Sequence, residues 1–227
     1  MTTPHARSHA SPELAALIHS GQLWRGQEKA RVRTEPTGHP RLDAWLPGGG
    51  WPKAALSEVL HAEPGTGELG LALPLLAQLT QAQQHIAFIN PPLVPYAPGL
   101  LQRGVALDYV LVVQPQTLAA QACGQRVSDR QNESLWAAEQ LLRAGYAAVL
   151  VWADIASPQA LRRLQLASEE SGGQALLFRS LKRASEPSPA VLRMAVRREA
   201  SLVGDRTQVQ VLKSRGGSVS HAIALNS

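Results

Sequence analysis

The sequence predicts an α/β fold: a mostly parallel sheet flanked by helices, antiparallel C-terminal strands, and a helical arm at the N-terminus. Three observations carry this. Short apolar runs alternate with helical segments between residues 56 and 179, which calls for parallel strands joined by crossovers. Three β-like segments then follow one another after Pro187 and Pro189, which suggests an antiparallel extension at one edge. Ahead of the alternation, a capped helix is set off by a polar linker. The chain therefore divides into an arm and linker over 1–35 and a core over 36–227.

The elements follow in order. Ser11-Pro12 opens a short helix as N-cap and first helical residue, with Leu14, Leu17 and Ile18 on one face. Leu23 and Trp24 sit in the basic, polar linker, where Trp24 either anchors a partner or tucks against its own core. Asp43 to Trp45 reads as one helical turn ended by Pro47 and three glycines. Leu56–His61 alternates apolar and polar residues and reads as a strand. A helix over 69–81 contains Pro74, which removes a backbone hydrogen bond and predicts a kink. Strands follow at 85–90, 109–113, 147–153 and 175–179, the run Tyr109–Val113 having the composition of a strand buried on both faces. Helices over 128–144 and 157–171 end at Gly145 and at Gly172-Gly173. The closing segments are 191–197, 207–213 and 219–225.

Composition narrows the function classes. The 227 residues are 44% hydrophobic and 17% charged, unlike a disordered or coiled-coil chain. A single cysteine, Cys123, excludes a disulfide framework and suits a reducing cytosol. The longest strongly apolar run, 147–153, is far short of the roughly 20 residues of a membrane span, and the N-terminus shows no secretory signal. The expected location is cytoplasmic and nucleoid-associated, with no membrane partner. Seven histidines show no metal-ligand spacing, so no metal or cofactor is expected. Residues 161–227 carry eleven Lys/Arg against five Asp/Glu. Arg193, Arg197, Arg198, Arg206, Lys213 and Arg215 are thus candidate contacts to DNA or an acidic partner, or a solvated rim.

The strand at 56–61, a glycine-rich turn and an apolar helix have the layout of a phosphate-binding loop. Such a loop wraps phosphates with backbone N–H groups, neutralises them with Lys and holds Mg²⁺ with Ser or Thr. Here Gly65, Thr66 and Gly67 supply the turn, but Ala62 stands at the first glycine, Glu68 at the Lys and Leu69 at the Ser/Thr. A Lys near a phosphate contributes about 4 kcal/mol at an effective dielectric near 20, and a Glu reverses the sign, a swing of roughly 8 kcal/mol. A helix dipole offers about 0.3–2 kcal/mol and does not offset it. The site is expected not to bind nucleoside triphosphate, and the glycines then serve only to turn the chain. Asp154, ending a strand, sits where acids act in α/β folds, or caps the helix beginning near Ser157.

The stretch TGHPRLDAWLPGGGWPKAALSEVLHAEPGTGELG resembles the RecA/RadA-type lead into the first core strand and phosphate loop. LLRAGYAAVLVWADIASP resembles the RecA segment that carries the second nucleotide motif. LWRG at 23–26 and LPGGGWP at 46–52 look most like ImuA, the SulA/RecA-like family of bacterial mutagenesis cassettes, over about residues 12 to 215. Compared position by position, the loop Lys and Thr fall on Glu68 and Leu69. The second-motif acid falls on Ala153, with Asp154 one place late and so on the other face of the strand. The water-activating glutamate falls where Asn90, Pro91 and Pro92 stand.

The resemblance implies a RecA-like core without hydrolysis, acting in the SOS response. Its implied partners are RecA, an ImuB-like Y-family polymerase homologue and an error-prone C-family DNA polymerase in translesion synthesis. The arm residues Leu14, Leu17, Ile18 and Trp24 would meet RecA, whose filaments assemble through such an arm. Alternatives are a SulA-like cell-division inhibitor, a DNA-binding module using the basic final third, and an ATPase with a rearranged site.

Overall fold

The computed structural model describes residues 33–114, 127–199, 206–215 and 222–225. All belong to a compact unit running Val32–Ser227. The predicted arm helix and Trp24, and the loop holding Cys123, lie outside the described residues.

A small antiparallel pair leads in: β1 (Thr34–Glu35) pairs with β2 (Trp51–Pro52). Thr34 and Glu35, assigned by sequence to the arm, therefore join the core. Between them lies one short helix, α1 (Pro40–Asp43). This pairing explains part of the GlyGlyGly run: a Cβ on Gly50 would stand 1.9 Å from the Glu35 carbonyl oxygen, so only glycine lets β1 pass.

The main sheet has eight strands. They are β3 (Leu56–His61), β4 (Ile86–Ile89), β5 (Val110–Val113), β6 (Ala148–Trp152), β7 (Gln174–Ser180), β8 (Leu192–Glu199), β9 (Arg206–Ser214) and β10 (Ile223–Leu225). Their spatial order is β10-β9-β8-β3-β7-β6-β4-β5. β3 to β8 run parallel; β9 and β10 add antiparallel strands at one edge, as predicted. The helices are α2 (Leu73–Gln81), α3 (Ala97–Gln102), α4 (Val127–Arg143) and α5 (Pro158–Ser171). α2 packs Leu75, Leu76 and Leu79 against one sheet face, with Val59, Phe88, Leu150, Met194 and Val209. α4 and α5 cover the other with Leu135, Leu142, Leu161 and Leu164 over Val149, Val151 and Leu177. Among the described residues no helix is long and apolar enough to cross a membrane.

Several helix ends follow their punctuation. Ser157 accepts the Ala160 N–H at 3.2 Å and caps α5, and Gly172 closes it at φ +78°. Two expectations are corrected. Pro74 makes no kink: α2 starts only at Leu73, which places the proline in its first turn, where its missing N–H is not needed. β5 is not buried on both faces: among the described residues it is the border strand, and Leu111 and Val112 are 37% and 41% exposed. All six residues of β3 are buried, Ser57, Glu58 and His61 included, because it lies inside the sheet between β7 and β8.

Candidate functional site

The loop after β3 spans 62–72 and reaches α2. Gly65 (φ +86°) and Gly67 (φ +95°) adopt left-handed conformations, and a Cβ on Gly67 would come within 2.4 Å of Thr207 Oγ1 on β9. Glycine at 67 is thus required both by the turn and by the strand beside it. Glu68 is only 4% exposed although residues 62–65 are exposed. Its carboxylate turns back into the loop: Oε1 accepts the Gly65 N–H at 2.8 Å and Oε2 lies 3.4 Å from Thr66 Oγ1. Arg198 donates from Nη2 to the Gly65 carbonyl oxygen at 3.0 Å. Leu69 packs against the α2-side core, so that position holds a hydrocarbon where a metal-binding hydroxyl would stand. Ala62 is exposed at the loop's start.

Ala153 is buried in the layer beneath α4 and α5. Asp154 does not cap α5. Its Oδ1 accepts the Ser180 N–H at 2.9 Å and its Oδ2 binds Arg183 at 3.1 Å, which fixes the turn Leu181–Arg183 after β7. Burial pulls the Asp154 carboxyl upward, but the Arg183 hydrogen bond, the Ser180 N–H and the charges of Arg183 and Arg179 outweigh it and hold it below its usual value. At the third position Asn90, at φ +52°, donates from Nδ2 to the Trp152 carbonyl oxygen at 2.9 Å and so ties β4 to β6. Trp152 stacks on Phe178 at 4.5 Å and near Phe88 at 6.2 Å.

Sequence reasoning missed a charge network inside the sheet. Glu58, 0% exposed at the middle of β3, accepts Arg193 Nε at 2.7 Å and Ser188 Oγ at 2.6 Å, and lies 3.6 Å from Arg179 Nη1. Arg179 continues to the Asp154 carbonyl oxygen and to Glu186 at 2.8 Å. Arg183 joins Asp154 and Glu186, whose carboxyl is held low chiefly by that Arg183 hydrogen bond. Arg193, a candidate DNA contact, is instead buried: its Nη atoms donate to the carbonyl oxygens of Arg183, Ala184 and Glu186. Lys213, its register partner, donates to the Ser188 carbonyl oxygen at 2.7 Å, its ammonium held below the usual lysine range by burial and then by Arg193. Of the six candidate contacts only Arg193 is buried; Arg197, Arg198, Arg206, Lys213 and Arg215 are exposed. The available signal for the network was an acid and a base, Glu58 and Arg193, each placed within a strand-like run.

Arg179, Arg183 and Glu186 also border a cleft of about 270 Å³ floored by Ile155, Ala156, Pro158, Leu161 and Pro187. Both guanidinium groups are already engaged by acidic partners. On β5, Leu111 and Val112 are exposed apolar side chains, and so are Leu93, Val94, Tyr96 and Leu101 in the 91–102 segment that follows its partner β4. Among the described residues β5 pairs only with β4. The four prolines at 91–98, holding Leu93, Val94 and Tyr96 between them, were its available sequence signal. Among the described residues no group of three or more His, Cys, Asp or Glu is placed to hold a metal ion.

No family model matches the chain. It is 32% identical over 134 residues to Protein RecA of Bacillus licheniformis, a match covering 58% of this chain and 34% of that protein. It is 31% identical over 166 residues to Protein RecA of Fusobacterium nucleatum subsp. nucleatum, covering 70% of this chain and 39% of that protein. The chain thus spans less than two fifths of the length of these relatives. The similarity to RecA is distant, and the mostly parallel sheet with antiparallel C-terminal strands is that of a RecA-like fold.

Proposed function

We propose that this distant relative of RecA is a non-catalytic accessory protein of SOS-induced mutagenic translesion synthesis. In this reading it joins RecA to an error-prone assembly containing an ImuB-like polymerase homologue and a C-family polymerase. The observation that carries it is Glu68: the anion in the loop is the protein's own carboxylate, bound to the Gly65 N–H. The positions compared with the metal-holding hydroxyl and the second-motif acid hold Leu69 and Ala153, both packed in apolar layers. A core relieved of turnover is free to serve as a scaffold, and the exposed apolar surface around β5 supports a docking role.

Affinity purification from DNA-damaged cells tests the reading, with RecA and both polymerase-type partners expected to co-elute. An arm-deleted form that captures RecA as well as the full chain does would remove the arm from the proposal. Magnesium-dependent ATP turnover by the wild-type chain, above a Glu68→Ala control, would overturn its non-catalytic part.

A second reading, direct DNA binding, is favoured by the surface position of Arg197, Arg206 and Arg215. It predicts that log affinity for duplex DNA falls with log salt by about 0.9 per phosphate contacted. Arg193 is spent inside the network, so Arg193→Met would act on stability and leave that slope unchanged.

A further inference from the structure

We propose that the cleft between the loop after β6 and the segment after β7 is a docking pocket for one aromatic side chain of a partner protein. The proposal does not depend on which partners the chain joins, so its failure leaves the reading above standing.

The cleft is built before anything enters it. Its walls are the connections 153–157 and 181–191, which leave the C-terminal ends of β6 and β7. Two arginines clamp these walls together. Arg179 donates to the Asp154 carbonyl oxygen on one wall and pairs with Glu186 on the other, and Arg183 pairs with both carboxylates. Arg193 in turn holds the carbonyl oxygens of Arg183, Ala184 and Glu186. Pro158 and Pro187 line the space with hydrocarbon and bring no N–H to hold water there. A pocket fixed in this way needs little ordering when it is filled.

The lining selects the occupant. Ile155, Ala156 and Leu161 are apolar, and Ile155 is 46% exposed. The volume of about 270 Å³ is below the roughly 300–1,000 Å³ of pockets that enclose a small molecule, and it suits one large side chain. Arg183 decides between an aliphatic chain and a ring. Its three nitrogens all donate to carboxylates, Nε and Nη2 to Asp154 and Nη1 to Glu186. The side chain is nonetheless 33% exposed and borders the cleft. With its edges engaged, what it offers an occupant is the flat of the guanidinium, on which aromatic rings stack. Arg179 and Arg183 are matched by Asp154 and Glu186, which leaves no surplus of positive charge to draw a phosphate backbone. The ring therefore belongs to a protein and not to a nucleic acid.

The test titrates the full-length, isotope-labelled chain with N-acetyl-tryptophanamide and follows the amide resonances of Ile155, Ala156 and residues 181–186. Saturable shifts centred there, in the millimolar range, are expected. N-acetyl-leucinamide is expected to bind about fivefold more weakly, and deoxyadenosine monophosphate to leave these amides unmoved. Arg183→Lys keeps the charge and loses the plane. It is expected to lower tryptophanamide binding to the leucinamide level and to leave leucinamide binding unchanged. Ala156→Leu fills the cleft and is expected to abolish binding of both probes. The absence of saturable shifts, equal binding of the two amides by wild type, or nucleotide binding as tight as that of the tryptophan probe overturns the proposal. A different result for Arg183→Lys overturns the choice of a ring. Should Ala156→Leu fail to fold, Ile155→Ser decides: weakened tryptophanamide binding supports the pocket, and unchanged binding refutes it.

Discussion

The sheet has two unlike flanks. On one side, β5 ends the parallel strands with Leu111 and Val112 half in solvent and more apolar side chains exposed nearby. On the other, β8 and β9 carry Arg193, Lys213, Arg197 and Arg206; Arg193 is buried against the Glu58 carboxylate, and the other three are exposed, Lys213 donating to the Ser188 carbonyl oxygen. Hydrocarbon thus faces water on the first flank, while one charged pair, Glu58 and Arg193, is buried on the second. The contrast separates what each flank is for. The buried ions satisfy one another and fasten the 183–188 segment over the sheet, a structural task completed within the chain. The exposed hydrocarbon is satisfied by nothing among the described residues, as expected of a surface that meets something else.

If this contrast is right, the largest stability effect lies on the charged flank. Glu58→Ala leaves Arg193 buried without its carboxylate and is expected to cost about 3–5 kcal/mol in denaturant unfolding. A loss under about 1 kcal/mol would mean that water reaches Arg193 and that the network is not a dry one.

A smaller effect is expected from acid. Asp154 and Glu186 are held below their ordinary values. Each therefore adds stability above its unfolded pKa, near 4, and loses it as pH falls through the lower folded value. Asp154→Asn with Glu186→Gln should flatten the decline in melting temperature below about pH 4, and leave the profile above pH 6 parallel to wild type.

The smallest stability effect is expected at β5. Leu111→Lys and Val112→Lys should each move unfolding by no more than about 0.5 kcal/mol, because water already reaches both side chains. The same changes should abolish capture of a partner that docks there. A large destabilisation would show the strand to be covered after all.

These flanks also show what could be read from the chain alone. Local chemistry was legible: the Ser157-Pro158 start, the Gly172 stop and most strand positions follow from caps, glycines and β-branched runs. The departures of Glu68 and Leu69 from a phosphate-binding loop, in charge and in donor chemistry, were legible at fixed positions; that Glu68 turns back onto the Gly65 N–H was not. Strand order was not. Tyr109–Val113 has the composition of an inner strand and ends the sheet, while Leu56–His61 has the alternation of a half-exposed strand and lies inside it. Composition reports how apolar a strand is, and its neighbours come from pairings far along the chain. For the same reason Arg193 read as a surface cation. Its carboxylate partner lies 135 residues earlier, and only the β3–β8 register brings them side by side.

The placement of β3 also governs how the protein is made. Its two neighbours, β7 and β8, both come from the final third of the chain. During synthesis β3 must wait, with an acidic side chain and two bare hydrogen-bonding edges, until residues 174–199 have left the ribosome. Long-range parallel pairing of this kind makes for slow closure and prolonged exposure to aggregation. A long interval of exposed strand edges during production is therefore a cost written into the topology.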